Sequence, residues 1–218
     1  MRKREYKILS FSTTMRNPQR IAEFLKALLP FENRKLSHEI IMQIVADLIA
    51  NKLYVPLYAS RNFKDILESD ENFSANQTQE IITNSPQEHK EAGFDRGWDS
   101  RFDTWYKLPM EFGFCYYAMN EPLRISNTGH LLIDAFNENP SNETKIANIF
   151  LNCMMKYQSN NPFRRVLNAN VPLLLLLNTM HILKQKVGDS KIHKDEISFL
   201  LCWRDNDAQS LAQKIVDL

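Results

Sequence analysis

Five glycines in 218 residues constrain this chain more than any other single feature. A Gly-rich phosphate loop or a turn-dense all-β barrel needs many residues free to take positive φ, and the chain lacks them. Helical spacing fills the gap. Behind Ser37, a good capping residue, Ile40, Ile41, Ile44, Val45, Leu48 and Ile49 recur as a broad apolar stripe. Asn17-Pro18 opens another helix, with Asn as N-cap and Pro in the first turn; Ile21, Phe24, Leu25, Leu28 and Leu29 line one face until Pro30 ends it.

A chain of this length holds one large domain or two small ones, and either buries a real core. Cys115, Cys153 and Cys202 are odd in number and far apart, with no C-x-x-C pair and no zinc spacing, so a reducing cytoplasm is expected rather than secretion. Met1-Arg2-Lys3-Arg4 is basic but no apolar core of a signal peptide follows it. The longest apolar run, Val171 to Leu177, is far shorter than the roughly 20 residues of a membrane span. Net charge is only +1, yet residues 1–35 carry +6 and residues 141–191 carry +5. Two basic blocks separated by acidic sequence have the layout of two phosphate-contact zones, or of solvated surface charge that clusters.

Lys7 to Ser12 reads as a short strand. Ser60 caps a short helix to Glu68, and Asp70 to Gln77 reads as a polar loop. Ser85-Pro86-Gln87-Glu88 has the form of a capping box, predicting a short helix that Gly93 stops. Ser100 caps the next helix, with Phe102, Trp105 and Tyr106 on its inner side; Pro109 should kink it and Gly113 stop it. Phe114–Met119, a turn at Asn120-Glu121-Pro122 and Leu123–Ser126 predict a β-hairpin. Asn127-Thr128 then caps a helix with Leu131, Leu132, Ala135 and Phe136 inside. After a joint at Asn139–Asn142 come an amphipathic helix over Glu143–Tyr157, a centrally buried helix from Pro172 to Lys186, a break at Gly188, and a helix over Asp195–Trp203.

The expected fold is mainly α with short β-hairpins (α+β). Helix, hairpin, helix is the order of a winged helix-turn-helix, so residues 1–140 are expected to form a winged-helix-like DNA-recognition subdomain. Residues 141–218 would form a second, helical and helix-turn-helix-like subdomain.

The stretch Pro86-Gln87-Glu88-His89-Lys90-Glu91-Ala92-Gly93-Phe94-Asp95-Arg96-Gly97-Trp98-Asp99-Ser100-Arg101-Phe102-Asp103-Thr104-Trp105 resembles the AlwI-like type IIS restriction endonucleases. So do Gly113-Phe114 with Ile125–Leu132, Thr14–Ile21, Lys156–Phe163, and Lys194–Phe199. The resemblance implies a recognition region of winged-helix-like subdomains that reads a short asymmetric duplex site. It also implies a separate C-terminal PD-(D/E)xK nuclease domain that cuts outside that site with Mg²⁺. Leu218 falls about where such a recognition region would end, so no cofactor is expected within these residues. Ile192-His193 stands where a Ser cap would be usual.

A metal-assisted nuclease centre needs an Asp and then Glu-x-Lys on adjacent strands. Glu5-Tyr6-Lys7, Glu88-His89-Lys90 and Glu143-Thr144-Lys145 fit the triplet, but only the last has a suitably spaced aspartate, Asp134, and that lies on a predicted helix. No catalytic residue and no metal ligand is therefore expected. His38, His89, His130, His181 and His193 stand apart from the cysteines and from each other.

Major-groove base edges are read by Arg at guanine, Asn or Gln at adenine, and acids at cytosine. The candidate base readers are Arg96, Asp99, Arg101, Asp103 and Thr104, with Arg101, Asp103, Thr104 and Lys107 expected on the outer face of the helix from Ser100. An ion pair or a cap explains the two aspartates equally well. The phosphate-contact candidates are Arg16, Asn17 and Arg20, at a helix N-terminus with free backbone donors, and Lys90, Lys107, Arg164 and Arg165. The expected partners are double-stranded DNA and a nuclease domain, with no membrane. Two other readings fit the sequence: a free-standing winged-helix regulator acting as a two-fold dimer, and a helical protein–protein interaction module.

Overall fold

A computed structural model describes residues 14–15, 17–140, 143–157 and 170–217. The strand expected over Lys7–Ser12 lies outside the described residues, as do Arg16, Arg164, Arg165 and the triplet at Glu5. The described residues are mainly helical and fall into two compact units, one within Ser12–Ile149 and the other within Phe150–Leu218. The division lies inside one helix rather than at Asn139–Asn142.

In the first unit, α1 (Pro18–Lys26) starts as its sequence dictates: the Asn17 side chain accepts from the amides of Gln19 and Arg20. It ends before Pro30, which sits in a 3-10 turn over Leu29–Phe31. In α2 (His38–Ala50), Ser37 accepts from the Ile40 amide, and all six residues of the apolar stripe are buried. Two short helices follow, α3 (Leu57–Asn62) and α4 (Lys64–Glu68). Ser60 caps neither; it lies inside α3 and donates to the Pro56 carbonyl. The expected polar loop is shorter than Asp70–Gln77, because α5 (Ala75–Thr83) begins there with a complete Ser74/Gln77 capping box.

Ser85 to Glu91 is not helical. Glu88, which would have closed the expected box, instead pairs with Arg96, while Gln87 donates to the Ser85 carbonyl and accepts from Arg101. Gly97, at φ +111°, turns the chain into α6 (Trp98–Glu111). Ser100 is not its cap; the hydroxyl donates to the Asp95 carbonyl and accepts from the Glu91 amide, lashing the incoming loop to the helix. Pro109 lies in the last turn and α6 continues through it. Gly113 ends α6 at φ +76° in a Schellman closure: Phe114 donates to the Pro109 carbonyl and Gly113 to that of Met110.

The hairpin is present but small. β1 (Cys115–Tyr116) pairs antiparallel with β2 (Arg124–Ile125), Cys115 opposite Ile125 and Tyr116 opposite Arg124. Asn120, at φ +68°, makes the turn. Helix α7 (Asn127–Glu138) is capped by Ser126, one residue earlier than expected, and Leu131 is exposed rather than inside. α6 packs on α2, α1 and β1, and α1 on α7. Phe24, Phe102, Trp105 and Tyr106 are almost fully buried at the centre, with the Tyr106 hydroxyl donating to the Phe24 carbonyl at 2.8 Å. Burial of such side chains is worth about 1.5–3 kcal/mol each, so this aromatic cluster contributes substantially to holding the unit together.

α8 (Glu143–Lys156) carries the division between the units. In the second unit α9 (Pro172–Val187) packs on α10 (Ile197–Cys202) and α11 (Ala208–Val216). Leu175, Ile182, Leu183, Leu211, Ala212 and Ile215 form the core, with Phe199, Leu200 and Trp203 partly buried against it. α9 is one-sided rather than buried all round, with Leu174 and Leu177 exposed. α10 begins after Glu196 with no side-chain cap. α11 was not foreseen, although Asp207 caps it by accepting from Ser210. No helix among the described residues is long and apolar enough to cross a membrane.

Candidate functional site

α6 does not present the outward polar face its sequence suggested. Asp99 and Asp103 are 2% and 6% exposed, because α2 covers one flank of the helix and the hairpin region another. Asp99 meets the Nδ1 of exposed His38 at 2.7 Å, and its other oxygen is buried without a hydrogen-bond partner among the described residues. Asp103 accepts from the Tyr117 hydroxyl at 3.0 Å and lies 3.5 Å from the Lys107 ammonium. Burial pushes the Asp103 carboxyl up, against the opposing pull of Lys107 and Tyr117. Burial alone would pull the Lys107 ammonium down; Glu91, at 3.0 Å, and Asp103 outweigh it and leave the group raised. Thr104 is half-buried and donates to the Ser100 carbonyl.

The two arginines of the base-reading set differ from these groups. Arg96 is exposed and, among the described residues, meets only Glu88, at 3.3 Å, in a solvent-screened pair. Arg101 stands half-buried on the wall of an open groove. Its Nε donates to Gln87 Oε1 at 2.7 Å, and its guanidinium lies 5.9 Å from the centre of the Tyr54 ring.

The groove has a volume of about 660 Å³. Residues 54–62, from the approach to α3 through its last turn, line one side, and residues 84–89 with Arg101 line the other. Arg61, Asn62, Asn84 and His89 reach it. Sequence reasoning passed over all four as groove residues. The missing information was long-range: α3 and the loop after α5 are brought together only by the fold.

The phosphate-contact candidates are largely occupied within the protein. The α1 amides expected to be free are capped by Asn17. Arg20 donates to the Leu53 carbonyl at 2.6 Å and lies over the Phe24 ring. Lys90 donates to the Phe94 carbonyl at 2.6 Å, and Lys107 is held between Glu91 and Asp103. Among the nuclease triplets, Glu143-Thr144-Lys145 lies in the first turn of α8, where strands would be needed, and Lys145 pairs with Glu138. No group of three or more His, Cys, Asp or Glu among the described residues is placed to hold a metal ion.

The described residues define a mainly helical class of protein with one small hairpin and an open groove of arginine, amide and tyrosine side chains. The family model described as AlwI restriction endonuclease matches residues 110–217, close to half of the chain, and this match supports an AlwI-like family assignment. The match covers the end of α6, the hairpin, α7 to α11 and their connections; the stretch from Pro86 to Trp105 precedes it. No curated protein and no solved structure matches the chain.

Proposed function

We propose that the chain is the DNA-recognition region of a type IIS restriction endonuclease, binding a short asymmetric duplex site. In this reading cleavage is performed by a PD-(D/E)xK domain outside these residues, and Mg²⁺ belongs there. The family match over residues 110–217 carries the proposal, since it implies restriction-enzyme function and hence DNA binding. Helix α6, the hairpin and α7 follow the order of a winged helix. In our reading α6 is the support of the recognition surface rather than a rod laid in the major groove, because most of its length is buried and its one arginine, Arg101, stands near the N-terminal end. Arg96 is the base reader we favour. Asp99 and Asp103 fix the helix in place.

Selection from a randomised duplex library, followed by affinity measurement across a salt series, tests the proposal. The expected result is one asymmetric site, bound by a monomer, with affinity falling steeply as salt rises. A palindromic site bound by a two-fold dimer would instead mark a winged-helix regulator. Failure to bind any duplex at any salt concentration would overturn both.

A further inference from the structure

We propose that the groove between α3 and residues 84–89 cradles the phosphodiester backbone of one DNA strand, with Arg101 as its principal phosphate contact and Arg61 and His89 beside it. The inference rests on the DNA-recognition reading and goes further by naming which part of the duplex this surface takes.

Shape is the first ground. The surface is concave, so it suits the ridge of a strand backbone, whereas reading a major-groove edge needs an element that projects into the duplex. Charge is the second. Arg61 and Arg101 reach the groove together with His89, and the acid at its edge, Glu88, is turned to Arg96. The third is the state of Arg101. Gln87 fixes its Nε, Gln87 is itself fixed by the Ser85 carbonyl at 2.8 Å, and the Tyr54 ring lies against the guanidinium. The two terminal nitrogens have no partner among the described residues. A guanidinium held in this way offers two parallel N–H groups at little entropic cost, and that fork matches two phosphate oxygens. Arg61 makes no hydrogen bond or ion pair among the described residues and is exposed, ready to meet a neighbouring phosphate.

The test measures the affinity of the whole chain for a duplex carrying its selected site and for a random-sequence duplex, each across a sodium chloride series. The proteins are wild type, Arg101→Gln, Arg61→Gln and Tyr54→Phe. Each arginine variant should bind both duplexes more weakly by a similar factor, and its slope of log affinity against log salt should be shallower by about 0.9. Tyr54→Phe keeps the ring and should behave as wild type. Arg61 is exposed on α3, so its variant folds whatever happens at Arg101. A neutral methylphosphonate at the contacted phosphate should weaken wild type and leave Arg101→Gln unmoved. A change of base preference confined to one position would make Arg101 a base reader and overturn the inference. Unchanged slopes for both variants would overturn it while leaving DNA recognition standing. A wild-type chain that binds no duplex would sink the functional reading first and this one with it.

Discussion

Gly129 lies in the first turn of α7, where an alanine would ordinarily help. In an unobstructed helix, Gly→Ala is stabilising by about 1 kcal/mol, because alanine loses less backbone freedom on folding. Here the opposite is expected. A Cβ at position 129 would drive into the carbonyl oxygen of Phe114 and stand 2.8 Å from Ile125 Cγ2. Neither can yield cheaply. The Phe114 carbonyl already accepts the Ser126 amide, and the Phe114 amide is itself one of the two donors in the Schellman closure of α6. Ile125 is the β2 partner of Cys115. Relief therefore requires α7 to lift from the hairpin, at the cost of the packing that buries Leu132, Ile133 and Ala135. Overpacking of this kind costs about 1–3 kcal/mol, and the upper end applies when backbone must move. Net of the propensity gain, Gly129→Ala should destabilise by roughly 1–2 kcal/mol. Urea unfolding followed by tryptophan fluorescence measures it. A midpoint equal to or above that of wild type would refute the close approach of α7 to the hairpin, and with it the packing described for this unit.

Tyr117→Phe removes a buried donor to Asp103; stability should fall by about 1–3 kcal/mol, and the Asp103 carboxyl should titrate at still higher pH, since the Tyr117 bond opposes the upward push of burial. A carboxyl-carbon NMR titration that moved down or stayed put would contradict this. Because the folded pKa of Asp103 is raised above 3.8, its contribution is favourable below that value and is lost as pH rises through the folded pKa; the stability difference between wild type and Asp103→Asn should therefore change in that acid window and be flat well above it. Thiol titration should modify Cys202 first, because it is exposed, while Cys115 is buried and its thiol is pushed far up, so that it reacts only on unfolding. Ser74→Ala breaks the capping box of α5 and should cost about 0.5–2 kcal/mol in the same urea assay.

The parts of the fold that were legible in sequence are those fixed within a few residues. Asn17 and Ser37 cap the helices they precede, Gly113 ends α6 where a left-handed residue is needed, and Asn120 turns the hairpin. The errors arose where a side chain spent its hydrogen bonds at a distance. Ser85-Pro86-Gln87-Glu88 has every residue of a capping box, but Glu88 reaches Arg96 eight positions on, and Gln87 beside it reaches Arg101. Meanwhile Ser74 and Gln77 form a true box inside what reads as a polar loop. Polarity misled in the same way on α6. Asp99 and Asp103 are charged and alternate with aromatics, as exposed residues would, yet each has a partner, His38 or Tyr117 with Lys107, that makes burial tolerable. Of the candidate site, Arg101 could be named from its residue type, while the groove it faces required the fold.

The buried aspartates explain why that groove has a rigid wall. An apolar pair in their place could be as stable, since desolvation offsets much of what a buried ion pair gains. What apolar residues would not supply is direction. The Asp99–His38 bond ties the first turn of α6 to the start of α2, and Asp103 ties the next turn to Tyr117 just beyond β1. Arg101 lies between them in sequence, with Ser100 holding the incoming loop. Rotation of α6 about its axis would break both ties at once. The Arg101 guanidinium is thus carried on a helix that two acids fix, and is held by Gln87 on its own side of the groove and by Tyr54 on the other. A side chain needed only for surface charge would not require four such constraints, and this is the strongest physical reason to look for a ligand at its free end.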